Sequence, residues 1–210
     1  MPRLTHEQLK LYLVTDQPSC LGRNLFEVVE AAVAGGVRCV QLREKTLSTR
    51  KFVQLALAMK ERLDPHGVPL IINDRLDVAL ACGAQGLHLG QNDLPVELAR
   101  RLLPAECWLG LSVETLEQAE LAAELDVDYF GVSPVFATPT KTDTGEPWGL
   151  EGLSRLRKLT TKPLIAIGGI QPDNAQSVMN AGADGIAVVS AICSAPSPGQ
   201  AAQTLLARIT

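Results

Sequence analysis

The sequence predicts a single (β/α)8 barrel. Three observations carry that expectation: eight short apolar runs, amphipathic helix-like stretches between them, and no linker or low-complexity tract across the chain. Continuous apolar runs rich in β-branched residues suit strands buried on both faces, as in parallel sheets. In order, the strand candidates are Leu11–Asp16, Cys39–Lys45, Leu70–Asp74, Gly86–Gln91, Trp108–Val113, Asp128–Ser133, Pro163–Gly169 and Gly185–Ser190.

Between them lie amphipathic segments expected to be helical, such as Asn24–Ala34, Thr49–Leu63, Pro95–Leu103, Thr115–Leu125 and Pro172–Ala181. Pro95 and Pro172 read as first-turn prolines, and Ser112 and Thr115 flank another helix start. The phrases Ala34-Gly-Gly, Cys82-Gly-Ala and Ala181-Gly-Ala each place glycine where a helix ends, a position that favours left-handed backbone. Strand–helix alternation implies right-handed βαβ units. Eight units without a composition break fit a closed barrel better than the alternative, an open doubly wound sheet. Residues 1–210 are therefore expected to form one barrel domain, compact beside the roughly 250 residues typical of the fold.

The chain of 210 residues is 46% hydrophobic, 20% charged and only 4% aromatic, with a net charge of −4. Few aromatics and no basic run argue against a nucleic-acid partner. No apolar run approaches the roughly 18 residues of a membrane span, and no signal peptide is evident, so a cytoplasmic location is expected. The five cysteines are scattered without a CxxC pair, which reads as buried thiols in a reducing compartment.

In this fold the chemistry sits at the C-terminal ends of the strands. At the second strand, Gln41, Arg43 and Lys45 alternate with Leu42 and Glu44, so period-two geometry points them to one side. Two cations on one face of a buried strand are costly unless an anion or a neutralising carboxylate meets them. The third strand ends in Asn73-Asp74 and the fourth runs on to Asp93. Adjacent parallel strands lie about 4.8 Å apart, so the two carboxylates can meet and share a cation such as Mg²⁺. The competing role for Asp93 is to cap the helix near Pro95. Ser112 ends the fifth strand, where a plain cap is the bland alternative.

After the sixth strand, residues 137–148 form a long loop with several threonines around Lys141, the pattern of a lid or binding loop. Gly168-Gly169 after the seventh strand and Val189-Ser190 after the eighth match the recurring barrel phosphate site, built from backbone amides. His6 and His66 are expected on the surface. His88, inside the fourth strand, is expected to be a satisfied buried imidazole.

With those residues in hand, the chain resembles the thiamine-phosphate synthase family from about Leu11 to Ile192. The matching phrases are Tyr12–Asp16, Val40–Lys45, Ile72–Asp74, Gly86–Gln91 with Asp93, Gly110–Ser112, Gly131–Phe136, Thr138–Lys141 and Ala166–Ile170. The resemblance implies a transferase that couples a hydroxymethylpyrimidine diphosphate to a hydroxyethylthiazole phosphate, or its carboxylated form, and releases pyrophosphate. It implies that Gln41, Arg43, Lys45, Asn73, Ser112 and Lys141 hold the pyrimidine diphosphate, with Arg43, Ser112 and Lys141 serving the chemistry. Asp74 and Asp93 would bind Mg²⁺. Thr138, Pro139, Thr140, Gly169, Val189 and Ser190 would hold the thiazole phosphate. Glu114 departs from the histidine common in the family at its position.

The partners expected are small molecules, with no nucleic acid and no membrane, and self-association is left open. Two rivals stand beside the transferase: an isomerase of the thiazole phosphate, which needs no metal, and a non-catalytic sensor on the same barrel.

Overall fold

A computed structural model describes residues 5–138 and 145–210. A short helix α1 (His6–Leu9) leads into strand β1 (Leu11–Val14). There follow α2 (Leu25–Ala34), β2 (Cys39–Leu42), α3 (Thr49–Leu63), β3 (Leu70–Asn73), α4 (Leu76–Cys82), β4 (Gly86–Leu89) and α5 (Val96–Leu102). The second half comprises β5 (Trp108–Val113), α6 (Leu116–Leu121), β6 (Tyr129–Val132), α7 (Gly149–Leu159), β7 (Leu164–Ile167), α8 (Ala175–Asn180), β8 (Gly185–Val188), α9 (Ser190–Cys193) and α10 (Pro198–Ile209).

All eight strands run parallel, and β1 closes on β8 with Leu11 opposite Ile186, so the sheet is a closed barrel and not an open doubly wound one. Every expected strand is present. Seven of them are shorter than their apolar runs suggest, having lost residues at their ends. This trimming matters for function, since Arg43, Lys45, Asp74 and Asp93 sit on the loops at the barrel mouth and not within the strands.

The helix signals act unevenly. Asn24 caps α2 by accepting the Phe26 N–H at 2.9 Å, and Thr115 caps α6 by accepting the Gln118 N–H at 3.1 Å. Gly83 ends α4 in left-handed backbone, with φ +62°. Pro95 stands one residue before α5 and not within its first turn. Pro172 lies in the turn before α8, which starts only at Ala175 once Gln171 and Asn174 have closed that turn. Helix α6 ends at Leu121, four residues earlier than its periodicity suggests.

Two apolar clusters share the strands. The larger lies between barrel and helices and includes Leu13, Val40, Leu42, Ile72, Phe130 and Leu164. The smaller fills the barrel interior, with Leu9, Tyr12, Ile71, Trp108, Tyr129 and Ile165. Alternate residues along a strand enter one cluster or the other. Leu9 of α1 is fully buried and belongs to the interior cluster, so the first helix closes the end of the barrel opposite the site. Burying that side chain stabilises the closure by about 2 kcal/mol. Gly185 permits the approach, because a Cβ there would stand 2.1 Å from the Leu9 carbonyl oxygen. Among the described residues no helix is long and apolar enough to cross a membrane. All five cysteines are free and buried, and burial pushes the Cys193 thiol up to about 12.

Candidate active site

Two adjoining cavities open at the C-terminal ends of the strands. The larger, about 250 Å³, is lined by Gln41, Arg43, Lys45, Asn73, Asp74, Asp93 and Ser112, among others. The smaller, about 70 Å³, is lined by Thr138, Gly168, Gly169, Val189 and Ser190 together with neighbouring residues. Ser133, Ile167, Ala187 and Val189 border both, so the two spaces share a wall. The structure thus brings together every sequence-predicted site residue that it describes. Pro139, Thr140 and Lys141 lie outside the described residues.

In the larger cavity the charges come from loops just past β1 to β5. Arg43 Nη1 lies 3.5 Å from Asp16 Oδ1. Asp16 is itself fixed through Oδ2, which accepts the Ser19 N–H at 3.0 Å and the Ser19 hydroxyl at 2.6 Å. The carboxylate that answers Arg43 is therefore Asp16, which the sequence reading passed over. Glu44 is held above the usual carboxylate range, by burial first and by the Asp16 charge next, against the pull of Arg43.

Lys45 Nζ pairs with Asp74 Oδ2. Asp74 adopts φ +62°, a left-handed conformation that carboxamide and carboxylate side chains tolerate better than most. Asp93 meets Asp74 within hydrogen-bonding reach, and its carboxyl is pushed above the usual range by burial and then by that neighbour. Asp93 Oδ2 also accepts the Gly90 N–H at 2.7 Å. It does not cap α5, whose N-cap position is Pro95 without a side-chain bond. The capping alternative for Asp93 therefore fails, and its carboxyl stands beside that of Asp74.

Asn73, between these groups, is buried, and its Nδ2 makes no hydrogen bond. A buried amide N–H without a partner costs about 1–3 kcal/mol unless a ligand atom receives it.

Ser112 also proves to be more than a cap. Its Oγ lies 2.9 Å from His88 Nε2, and its carbonyl oxygen accepts Gln91 Nε2 at 2.5 Å. His88 is the satisfied buried imidazole expected, with Nδ1 3.0 Å from the Tyr129 hydroxyl. Tyr12 and Tyr129 are wholly buried, and burial holds both phenols far above their ordinary range, so they stay neutral. Their place beneath the cavity has no signal in the local sequence. Glu114 lines the larger cavity too.

The smaller cavity is bordered by a glycine turn. Gly168 and Gly169 take φ +106° and +64°, so other residues would be strained there. A Cβ on Gly168 would stand 2.7 Å from Pro134 Cβ, and one on Gly169 would stand 2.8 Å from the Ala137 carbonyl oxygen. The turn is braced by Asn174 Nδ2, which donates to the Gly169 carbonyl at 3.0 Å, and by the Phe136 N–H, which donates to the Gly168 carbonyl at 3.0 Å. Across it, α9 starts at Ser190 directly after β8. This corner has the make-up of the barrel phosphate site, where glycine turns after β7 meet amides after β8.

The chain also matches known proteins over most of its length. The family model described as thiamine monophosphate synthase matches residues 11–192. The chain is 65% identical over 199 residues to the thiamine-phosphate synthase of Albidiferax ferrireducens, covering 95% of this chain and 91% of that one. It is 52% identical to the thiamine-phosphate synthase of Leptospira biflexa, covering 93% and 95%. Among solved structures it is similar to the thiamine phosphate pyrophosphorylase of Pyrococcus furiosus, with a TM-score of 0.89, 35% identity and coverage of 97% and 96%.

Proposed function

The chain belongs to the thiamine monophosphate synthase family, and from that premise we propose how its two cavities make thiamine phosphate. As a transferase of thiamine biosynthesis it has two phosphorylated substrates to seat. The larger cavity takes the pyrimidine diphosphate, and the smaller takes the monophosphate of the thiazole. The observation that carries this assignment is the contrast in their donors: ammonium, guanidinium and a free amide in one, glycine backbone in the other.

Mg²⁺ fits the residues present. Asp74 and Asp93 face one another and gain from a shared cation. That suits Mg²⁺, which binds one or two carboxylates and completes its shell with phosphate oxygens and water. When bound, the ion neutralises charge on the diphosphate and so favours its departure.

The chain's own groups do the rest by position. Lys45 and Arg43, with Lys141 from the loop, set positive charge against the leaving diphosphate, and Asn73 Nδ2 donates to one of its oxygens. Ser112 donates beside them. The bond from the pyrimidine methylene to the diphosphate oxygen breaks, and its electron pair leaves with pyrophosphate. The thiazole nitrogen then supplies the pair that forms the new C–N bond to the pyrimidinylmethyl cation. Thr138, Pro139, Thr140, Gly169, Val189 and Ser190 hold the thiazole phosphate so that this nitrogen points across the shared wall. No general base is required, in keeping with the facing carboxylates serving a cation. That pair also distinguishes the transferase from a thiazole-phosphate isomerase, which has no diphosphate to neutralise.

Purified protein given both substrates and Mg²⁺ should release pyrophosphate and thiamine phosphate in equal amounts, and EDTA should abolish both. Product formation undiminished by EDTA would remove Mg²⁺ from the proposal; tautomerised thiazole phosphate without coupling would favour the isomerase.

A further inference from the structure

A hydrogen-bonded chain crosses the barrel interior from β2 to β5. Gln41 Nε2 donates to the Tyr12 hydroxyl at 2.9 Å. That hydroxyl lies 3.0 Å from the hydroxyl of Tyr129, which lies 3.0 Å from His88 Nδ1. His88 Nε2 ends the chain 2.9 Å from Ser112 Oγ. The barrel makes room for it by omitting side chains. A Cβ on Gly110 would stand 2.2 Å from Tyr129 Cζ and 2.5 Å from His88 Nδ1, and one on Gly131 would stand 2.8 Å from His88 Cε1.

The chain has a direction. A phenol carries one proton, so a Tyr12 oxygen that receives the Gln41 N–H gives its own proton to Tyr129. Tyr129 then gives its proton to His88 Nδ1. A neutral imidazole accepting at Nδ1 carries its hydrogen on Nε2, and that N–H donates to Ser112 Oγ. The Ser112 proton is thereby turned away from His88, towards the cavity that Ser112 lines. With the Gln41 amide reversed, every bond would invert and Ser112 would present only lone pairs there, the wrong polarity for an anion.

We propose that Gln41, Tyr12, Tyr129 and His88 form a one-way relay that holds Ser112 as a hydrogen-bond donor to the departing diphosphate. The two tyrosines and His88 are positioning residues, acting through Ser112. This inference rests on the assignment of the larger cavity to the diphosphate.

The relay is tested by the tautomer of His88 in the ligand-free protein at neutral pH. The chain has three histidines. ¹⁵N-imidazole labelling, with His88→Gln used to assign the signal by subtraction, should show His88 protonated at Nε2 and bare at Nδ1. The opposite tautomer would overturn the relay. Tyr129→Phe should abolish that tautomeric preference and lower kcat about tenfold, with KM for both substrates within about twofold. Unchanged kcat would likewise overturn it. If Tyr129→Phe does not fold, the measurement on the unaltered protein still decides the direction. Ser112→Ala separates the two readings: full turnover with His88 still protonated at Nε2 would sink the role of Ser112 at the diphosphate, whereas a fallen kcat with the opposite tautomer would sink only the relay.

Discussion

On the assignment proposed above, the two halves of the barrel mouth solve the same problem, holding a phosphate, by opposite means. After β2 the donors are two long cationic side chains set on a loop, each answered by a carboxylate: Arg43 by Asp16, Lys45 by Asp74. After β7 and β8 the donors are backbone, presented by a glycine turn that no side chain would fit. The first arrangement can exchange partners, since Lys45 can leave Asp74 for a phosphate once a cation takes the carboxylate. The second is fixed before any ligand arrives. A leaving group that must depart and a phosphate that must only be gripped call for these different constructions.

The sharpest way to break the contrast is Gly169→Ala. The new Cβ meets the Ala137 carbonyl in left-handed backbone, so KM for the thiazole phosphate should rise about 100-fold, roughly 2.7 kcal/mol. KM for the pyrimidine diphosphate should stay within about twofold. Steady-state kinetics with each substrate varied in turn will show whether the two pockets are separable; equal rises would mean that they are not.

Asp93→Asn probes the other half. Removing one of two facing carboxylates should stabilise the ligand-free protein by about 0.5 kcal/mol, a rise in Tm of about 1–2 °C. It should also erase the further stabilisation that Mg²⁺ with pyrophosphate gives the unaltered protein. A fall in Tm instead would mean that repulsion from Asp74 does not burden the ligand-free protein.

The smallest effect expected is at Glu44. Its carboxyl is raised by burial and by Asp16, so the folded chain binds that proton more tightly than the unfolded chain. The stabilisation is complete below the unfolded value of about 4.3 and is lost as pH rises through the raised folded value. Discounted for partial exposure, Glu44→Gln should be more stable than the unaltered protein by about 0.3 kcal/mol at pH 7. That difference should close as pH falls below about 4, as denaturant melts at several pH values would reveal.

The contrast also explains what was legible in the sequence. The side-chain pocket announced itself through charge at period two in Gln41, Arg43 and Lys45, and through Asp74 and Asp93 on neighbouring strands. The backbone pocket showed only as Gly168-Gly169, informative once the barrel had been counted out. Long-range partners left no local trace. Asp16 meets Arg43 because β1 and β2 pair with Val14 beside Gln41, and Tyr12 meets Tyr129 across 117 positions. Local rules misled where tertiary structure took the residue for another purpose: Asp93 and Ser112 look like caps and bond elsewhere. Pro95 and Pro172 are real breakpoints but stand outside the helices they precede.

Asp74 remains, with its φ of +62°. Glycine would adopt that backbone more readily, by about 1 kcal/mol, so the position is under two demands that pull towards different residues. Backbone conformation alone would favour glycine, and on the proposed reading it is the need for a carboxylate that keeps aspartate there. A descendant of this chain released from making thiamine phosphate would have a downhill route open at that codon, since a single change from aspartate to glycine relieves the backbone and deletes the ligand together. Loss of Asp74 would then mark an early step in the decay or repurposing of the barrel, well before its strands lost their pattern.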